Sequence, residues 1–315
     1  MKYKPEKQSE KKQRYTFIAI FLTVLLATNI GTYFLGSSAK DEIASSKFTL
    51  LNPARAFIKQ KDLIVNFQPL RDYLNDKYEA DPNVSVYFEY LPTGASIAIN
   101  KDAEFYPASL LKVPVAMAVA RKVERGDWKW TNELVLMSAD KDDGFGTLHK
   151  EPANSTHTIE KLVRLSLSDS DNTAHFMLAR NLEVEEIEDV YDHMGLKDFL
   201  KSDGRLSAKR YSVMMRALHS ASYISEENSQ KLLLYLSQSP FKYYIQSGLE
   251  KDVVFSHKIG ISEEENVFID SGIVYAKNRS YILTVMIKDK DEQASKKIMA
   301  DISGKVYNYV KDYEE

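Results

Sequence analysis

The chain has 315 residues, 44% hydrophobic and 28% charged, so one domain of about 250 residues with an ordinary core fits beside a leader. The formal net charge of −3 gives no global reason to expect a nucleic-acid partner. There is no cysteine, which excludes disulfides, thiolate zinc sites and a cysteine nucleophile, and the six histidines lack HExxH-type ligand spacing, so no metal or other cofactor is expected.

Residues 1–14 hold six Lys and Arg against Glu6 and Glu10, a local charge of +4 that leaves about −7 for the rest. Residues 15–36 then carry no charge. A membrane span needs roughly 20 apolar residues, and a basic flank stays cytoplasmic. The reading is a single-pass signal anchor, with 1–14 inside and the bulk of the chain outside. A cleaved signal peptide is the rival, because Ser37-Ser38-Ala39 offers a small-residue cleavage site.

Residues 37–80 read as a juxtamembrane spacer and a first helix. In the helix, over 65–80, Phe67, Leu70, Tyr73 and Leu74 share a face. Asp81-Pro82-Asn83 stops it and opens a globular domain over 81–315. Residues 84–91 and 96–99 read as strands of a hairpin turning at Pro92-Thr93-Gly94. Residues 109–125 read as a helix ended by Gly126, inside a mainly helical middle, 105–250, with strong periodicity over 159–178 and 211–218. Strand-like runs follow at 253–257, 266–275 and 281–288, the last two joined by a turn at 276–279. An amphipathic helix over 292–313 closes the chain. This order predicts an α/β (α+β) architecture: a five-stranded antiparallel sheet with flanking helices, an inserted all-helical lobe, and one transmembrane helix in front. A site would fall between the lobes.

Three short motifs carry chemistry. Ser109-Leu110-Leu111-Lys112 starts a helix, and one turn places both polar side chains on one face. A serine hydroxyl needs a base to take its proton, and a buried lysine can be that base. The helix N-terminus favours a developing oxyanion. In Ser170-Asp171-Asn172, Ser170 could relay a proton to a leaving nitrogen, and Asn172 could donate to a substrate carbonyl and accept from Lys112. In Lys258-Ile259-Gly260, at the end of a strand run, Lys258 supplies positive charge and Gly260 allows a substrate backbone to approach. Each alone has a bland alternative, namely a helix cap, a polar helix–loop junction and an ordinary strand end.

Together, in this order, they resemble the S-x-x-K, S-D-N and K-T-G set of class A β-lactamases and penicillin-binding proteins. The resemblance covers about residues 83–313. It extends to Phe105-Tyr106-Pro107-Ala108 before the serine, and to Gly144-Phe145-Gly146-Thr147-Leu148, which resembles a G-x-G-x-L loop. Asp270-Ser271-Gly272-Ile273-Val274-Tyr275 resembles a strand of the uncharacterised serine-hydrolase branch. It implies that Ser109 is the nucleophile, with Lys112, Ser170 and Lys258 catalytic. Asn172 and Gly260 would bind substrate, and the N–H groups of Ser109 and Ile261 would form the oxyanion hole. It also implies a bacterial source, so that the membrane expected from the leader is a bacterial cell membrane.

Two departures qualify this. The family's loop glutamate, which positions the deacylating water, has no counterpart in residues 195–210, where Asp198 and Asp203 are the only carboxylates. The threonine of K-T-G is Ile259, which cannot bind a substrate carboxylate; Ser262 is nearby. The expected partner is a β-lactam or a cell-wall peptide ending in D-alanine. A penicillin-binding sensor or peptidoglycan-recognition module with little turnover is an alternative, as is an esterase or amidase on another acyl group. Oligomeric state is open.

Overall fold

The computed structural model describes residues 15, 16, 23, 48–51, 63–197 and 199–313, in two units divided between Thr49 and Leu50. In the first unit Tyr15, Thr16 and Thr23 are helical. The segment 1–14, the rest of the apolar run 15–36 and nearly all of the spacer up to 62 lie outside the described residues. Among the described residues no helix is long and apolar enough to cross a membrane.

The second unit begins its regular structure with α1 (Gln68–Tyr78), and strands β1 (Val84–Tyr90) and β2 (Ala95–Ile99) follow as a hairpin. β5 (Phe255–Ser262), β6 (Val267–Val274) and β7 (Tyr281–Lys288) complete a five-stranded antiparallel sheet in the order β2-β1-β7-β6-β5. The last helix, α8 (Glu292–Lys311), packs with α1 on one face. Strand side chains alternate between faces. Val84, Val86, Phe88 and Tyr90 of β1 and Leu283, Val285 and Ile287 of β7 therefore meet Leu70 and Leu74 of α1 and Met299, Ile302, Val306 and Val310 of α8. Each such side chain contributes about 1.5–3 kcal/mol by leaving water.

The other face is also covered, which is why every residue of β1 is buried. There α6 (Ala208–Ser220) lies on the sheet. Its Ser212 hydroxyl meets Thr284 at 2.7 Å, and its Arg216 is bonded to Glu89 and to the Tyr87 hydroxyl. The helical lobe adds α2 (Lys112–Glu124), α3 (Ile159–Ser168), α4 (Asn172–Arg180), α5 (Val184–His193) and α7 (Glu226–Ser237). It also holds a two-stranded ribbon, β3 (Glu133–Val135) with β4 (Thr156–Thr158), which the hydropathy pattern does not separate from the helices.

Two differences from the sequence reading bear on the site. The periodic stretch 159–178 is two helices, because Ser170 takes φ +57° and Asp171 caps α4 through Ala174 N at 2.9 Å. Ser, Asp and Asn prefer such caps to helix interiors. The run read as 253–257 is a strand that continues to Ser262, so Lys258 sits inside it rather than at its end.

Candidate active site

Ser109 lies in a tight turn of 3₁₀ helix, Ala108–Leu111, which feeds directly into α2. Ala108, just before it, takes φ +47°, a conformation costly for a residue with a Cβ and characteristic of functional turns. The turn is clamped from two sides. Phe105 and Leu206 exchange both backbone hydrogen bonds, at 2.9 and 3.0 Å, tying the approach to the stretch 195–210. On the other side stands β5, where a Cβ at Gly260 would come within 2.7 Å of the Pro107 carbonyl oxygen. Gly260 therefore permits a close approach of the chain's own turn.

Lys112, the first residue of α2, is buried, and its Nζ makes four short contacts. It lies 2.5 Å from Asn172 Oδ1, 2.6 Å from the Ser170 carbonyl oxygen, 3.1 Å from Ser109 Oγ and 3.2 Å from Ser170 Oγ. Burial pushes its ammonium down to about 8, against the opposing pull of Asp171 and then Asp142. Lys258 approaches Ser170 from β5, donating to its Oγ at 2.7 Å and to its own neighbour's carbonyl, Ile259 O, at 3.4 Å. It is only 1% exposed. Burial, then the like charge of Lys112, holds it well below the ordinary lysine range. The positive field reaches α4, where burial and both lysines push His175 down to about 3.

The sheet edge supplies a further group. β5 is an edge strand, and Tyr275 N donates to Val254 O at 3.0 Å. The register pairs Phe255 with Val274 through Ser262 with Val267, so even-numbered residues of β5 bond to β6. Odd-numbered residues turn N–H and C=O outward, and Ile261 N–H points off the sheet on the side of the Ser109 turn. Ile259, by contrast, buries its side chain in the core beneath the sheet. Ser262 shares the face of Lys258 and Gly260, and its Oγ accepts from Glu265 N at 3.3 Å. His257 faces away with Ile259 and is held by Asp270 at 2.7 Å, a buried structural pair.

The structure thus brings Ser109, Lys112, Ser170, Asn172, Lys258, Gly260 and Ile261 together. Sequence reasoning missed Asp142 and the job of Asp171. The Asn172 Nδ2 donates to Asp142 Oδ1 at 2.7 Å. Asp171 accepts Thr147 N and Leu148 N at 2.7 and 2.9 Å. Gly146, at φ +85°, makes this possible, since a Cβ there would lie 2.1 Å from Asp171 Oδ2. The only signal was the glycine spacing of residues 144–148. In the stretch 195–210, Asp203 is exposed and bonded to Arg205 N at 3.2 Å, while Asp198 lies outside the described residues. Arg205 ties this stretch to Glu265 at 2.6 Å.

Residues 68–310 match the family described as the β-lactamase enzyme family. The β-lactamase VEB-1 of Pseudomonas aeruginosa is 22% identical over 241 residues, covering 68% of this chain and 81% of that one. Among solved structures, PBP-A superposes with a TM-score of 0.70 at 22% identity, covering 78% of this chain and 97% of its own. A PBP-A variant described as an acyl-enzyme complex with penicillin G gives 0.69 at 23%, covering 78% and 97%. A β-lactamase from Sphaerobacter thermophilus gives 0.69 at 22%, covering 79% and 99%. The chain belongs to the β-lactamase enzyme family and is by that membership a serine hydrolase of amide bonds, cyclic amides included.

Proposed function

We propose that the chain forms an acyl-enzyme at Ser109 with β-lactams or with cell-wall peptides ending in D-alanine. The observation that carries this is the set of contacts around Lys112. A neutral lysine has two N–H bonds and one lone pair. Its two shortest contacts, Asn172 Oδ1 and Ser170 O, are acceptors. They take the two hydrogens and leave the lone pair for the Ser109 hydroxyl at 3.1 Å.

Ser109 Oγ attacks the acyl carbon as its proton passes to Lys112 Nζ. The oxyanion is received by the N–H groups of Ser109 and Ile261. Collapse breaks the C–N bond, and the leaving nitrogen takes its proton from Ser170 Oγ, which draws one from Lys112 at 3.2 Å. Lys258, donating to Ser170 at 2.7 Å, orients that hydroxyl and is the group placed to meet the substrate carboxylate. The penicillin G adduct of the PBP-A variant supports the substrate class.

A long-lived adduct is the second reading, and residues 195–210 favour it. They contain no glutamate, and Asp203 is exposed and engaged by Arg205. The decisive experiment adds a β-lactam to the full-length chain and follows intact mass alongside ring-opening. A stoichiometric adduct that persists makes the protein a penicillin-binding module, and turnover without an adduct makes it a working hydrolase. Neither one rejects the acyl-enzyme proposal for these substrates and leaves other esters and amides to test. The leader supports a bacterial membrane anchor with the domain over 81–315 outside the cytoplasm; protease applied to intact cells would leave that region uncut if this is wrong.

A further inference from the structure

Asn172 has two ways to sit. With Oδ1 toward Lys112 it accepts, as found here at 2.5 Å; flipped, it would offer an N–H to the lone pair that must serve Ser109. While Lys112 is an ammonium it enforces the first orientation by itself. Once Lys112 is neutral, and able to act as a base, it can donate or accept, and the choice passes to whatever holds the other end of the amide. That end meets Asp142 Oδ1 at 2.7 Å. An ionised carboxylate only accepts, so it binds Nδ2 and never Oδ1.

Asp142 is itself firmly placed. Its Oδ1 also accepts Gly144 N at 2.9 Å. Its N–H donates to Thr173 Oγ1 at 3.0 Å, and the Thr173 hydroxyl donates back to its carbonyl oxygen at 3.1 Å. A Cβ at Gly144 would lie 3.1 Å from Asp142 Oδ1 and 3.2 Å from Asn172 Nδ2, so the loop closes tightly over the pair. The Asn172 hydrogen bond, with Lys112 and His149 adding to it, keeps Asp142 below the usual carboxylate range and therefore ionised wherever Lys112 is neutral.

We propose that Asp142 is a positioning residue for acylation: it locks the Asn172 amide so that neutral Lys112 keeps its lone pair for Ser109, and it leaves one Nδ2 hydrogen free for the carbonyl of the acyl substrate. This rests on the acyl-enzyme reading of Ser109. Asp142 acts on two things at once. It orients Asn172, and it joins Asp171 as an anion opposing proton loss from Lys112, while the Lys258 amine stands on the far side of Ser170.

The test is the rate of adduct formation with benzylpenicillin on the full-length chain, by intact mass, from pH 5.5 to 9.5. Asp142→Asn should slow the plateau at least about tenfold, the scale of one lost charge-assisted hydrogen bond. It should also move the acid limb to lower pH, because an anion beside Lys112 is gone. Asp142→Glu should recover part of both. In an Asn172→Ala background, Asp142→Asn should change the plateau rate less than about twofold. Equal losses in both backgrounds, or a slower plateau with an unmoved acid limb, would overturn the proposal. If the unmodified chain forms no adduct, the Ser109 reading fails on its own account, and NMR of the Asn172 side-chain amide, identified by its loss in Asn172→Ala, decides about Asp142. Slow hydrogen exchange that becomes fast in Asp142→Ala upholds the lock; an unchanged signal rejects it.

Discussion

The pH dependence of acylation follows from where Lys112 sits. An ordinary lysine, at 10.5, has about three molecules in ten thousand neutral at pH 7. At about 8, the same group is neutral in about one molecule in ten. Burial thus raises the base-competent population about three-hundredfold, or roughly 3 kcal/mol at 1.36 kcal/mol per unit. The logarithm of the acylation rate should climb with unit slope up to about pH 8 and level off above it. Folding should register the same proton. The unfolded chain keeps it up to 10.5 and the folded chain only to about 8, so stability rises with pH between those values and the cost is constant below them. The assay is quenched-flow intact mass with excess β-lactam in buffers of constant ionic strength. Lys112→Ala should slow the plateau at least about a hundredfold and abolish the break. A rate flat from pH 6 to 9 would show that Lys112 is not the base, and a break near 10.5 would show that burial does not lower it.

Other substitutions separate chemistry from scaffold. Ser109→Ala should give no adduct by mass while keeping the melting temperature; labelling that survives would reassign the nucleophile. Gly146→Ala places a Cβ 2.1 Å from Asp171 Oδ2 on a backbone at φ +85°, and should cost about 2–4 kcal/mol in denaturant titration along with most of the acylation rate. Arg216→Met removes the partner of buried Glu89 and of the Tyr87 hydroxyl. Because the Arg216 side chain is 40% exposed, a loss of about 1–3 kcal/mol is expected, less than for a fully buried pair, with acylation by the remaining folded protein unchanged.

The sheet was legible because its strands alternate or run apolar. The run 281–288 matches β7 residue for residue, and 84–91 differs from β1 by one residue. The motifs were legible because each packs its chemistry into three or four neighbouring residues. What failed was reading continuity. Periodicity over 159–178 concealed the break around Ser170, since two helices packed on the same core both show apolar spacing on either side of a three-residue break. Strand run 253–257 stopped short because Gly260 and Ser262 look like a strand end, while the ladder to β6 continues through them. Asp142 was invisible for another reason: thirty residues separate it from Asn172, and nothing local marks a surface-type aspartate as the partner of a distant amide.

Asp171 grips the loop of residues 144–148 through backbone N–H groups alone, those of Thr147 and Leu148, and grips its own helix through Ala174 N. A carboxylate held in this way is indifferent to the side chains that decorate the loop. Phe145 and Thr147 can change without loosening Ser170 or Asn172, provided Gly146 stays. The rim of the cleft and its reactive floor are therefore separable in heredity: variation could retune which acyl groups enter while the proton-handling machinery stays still.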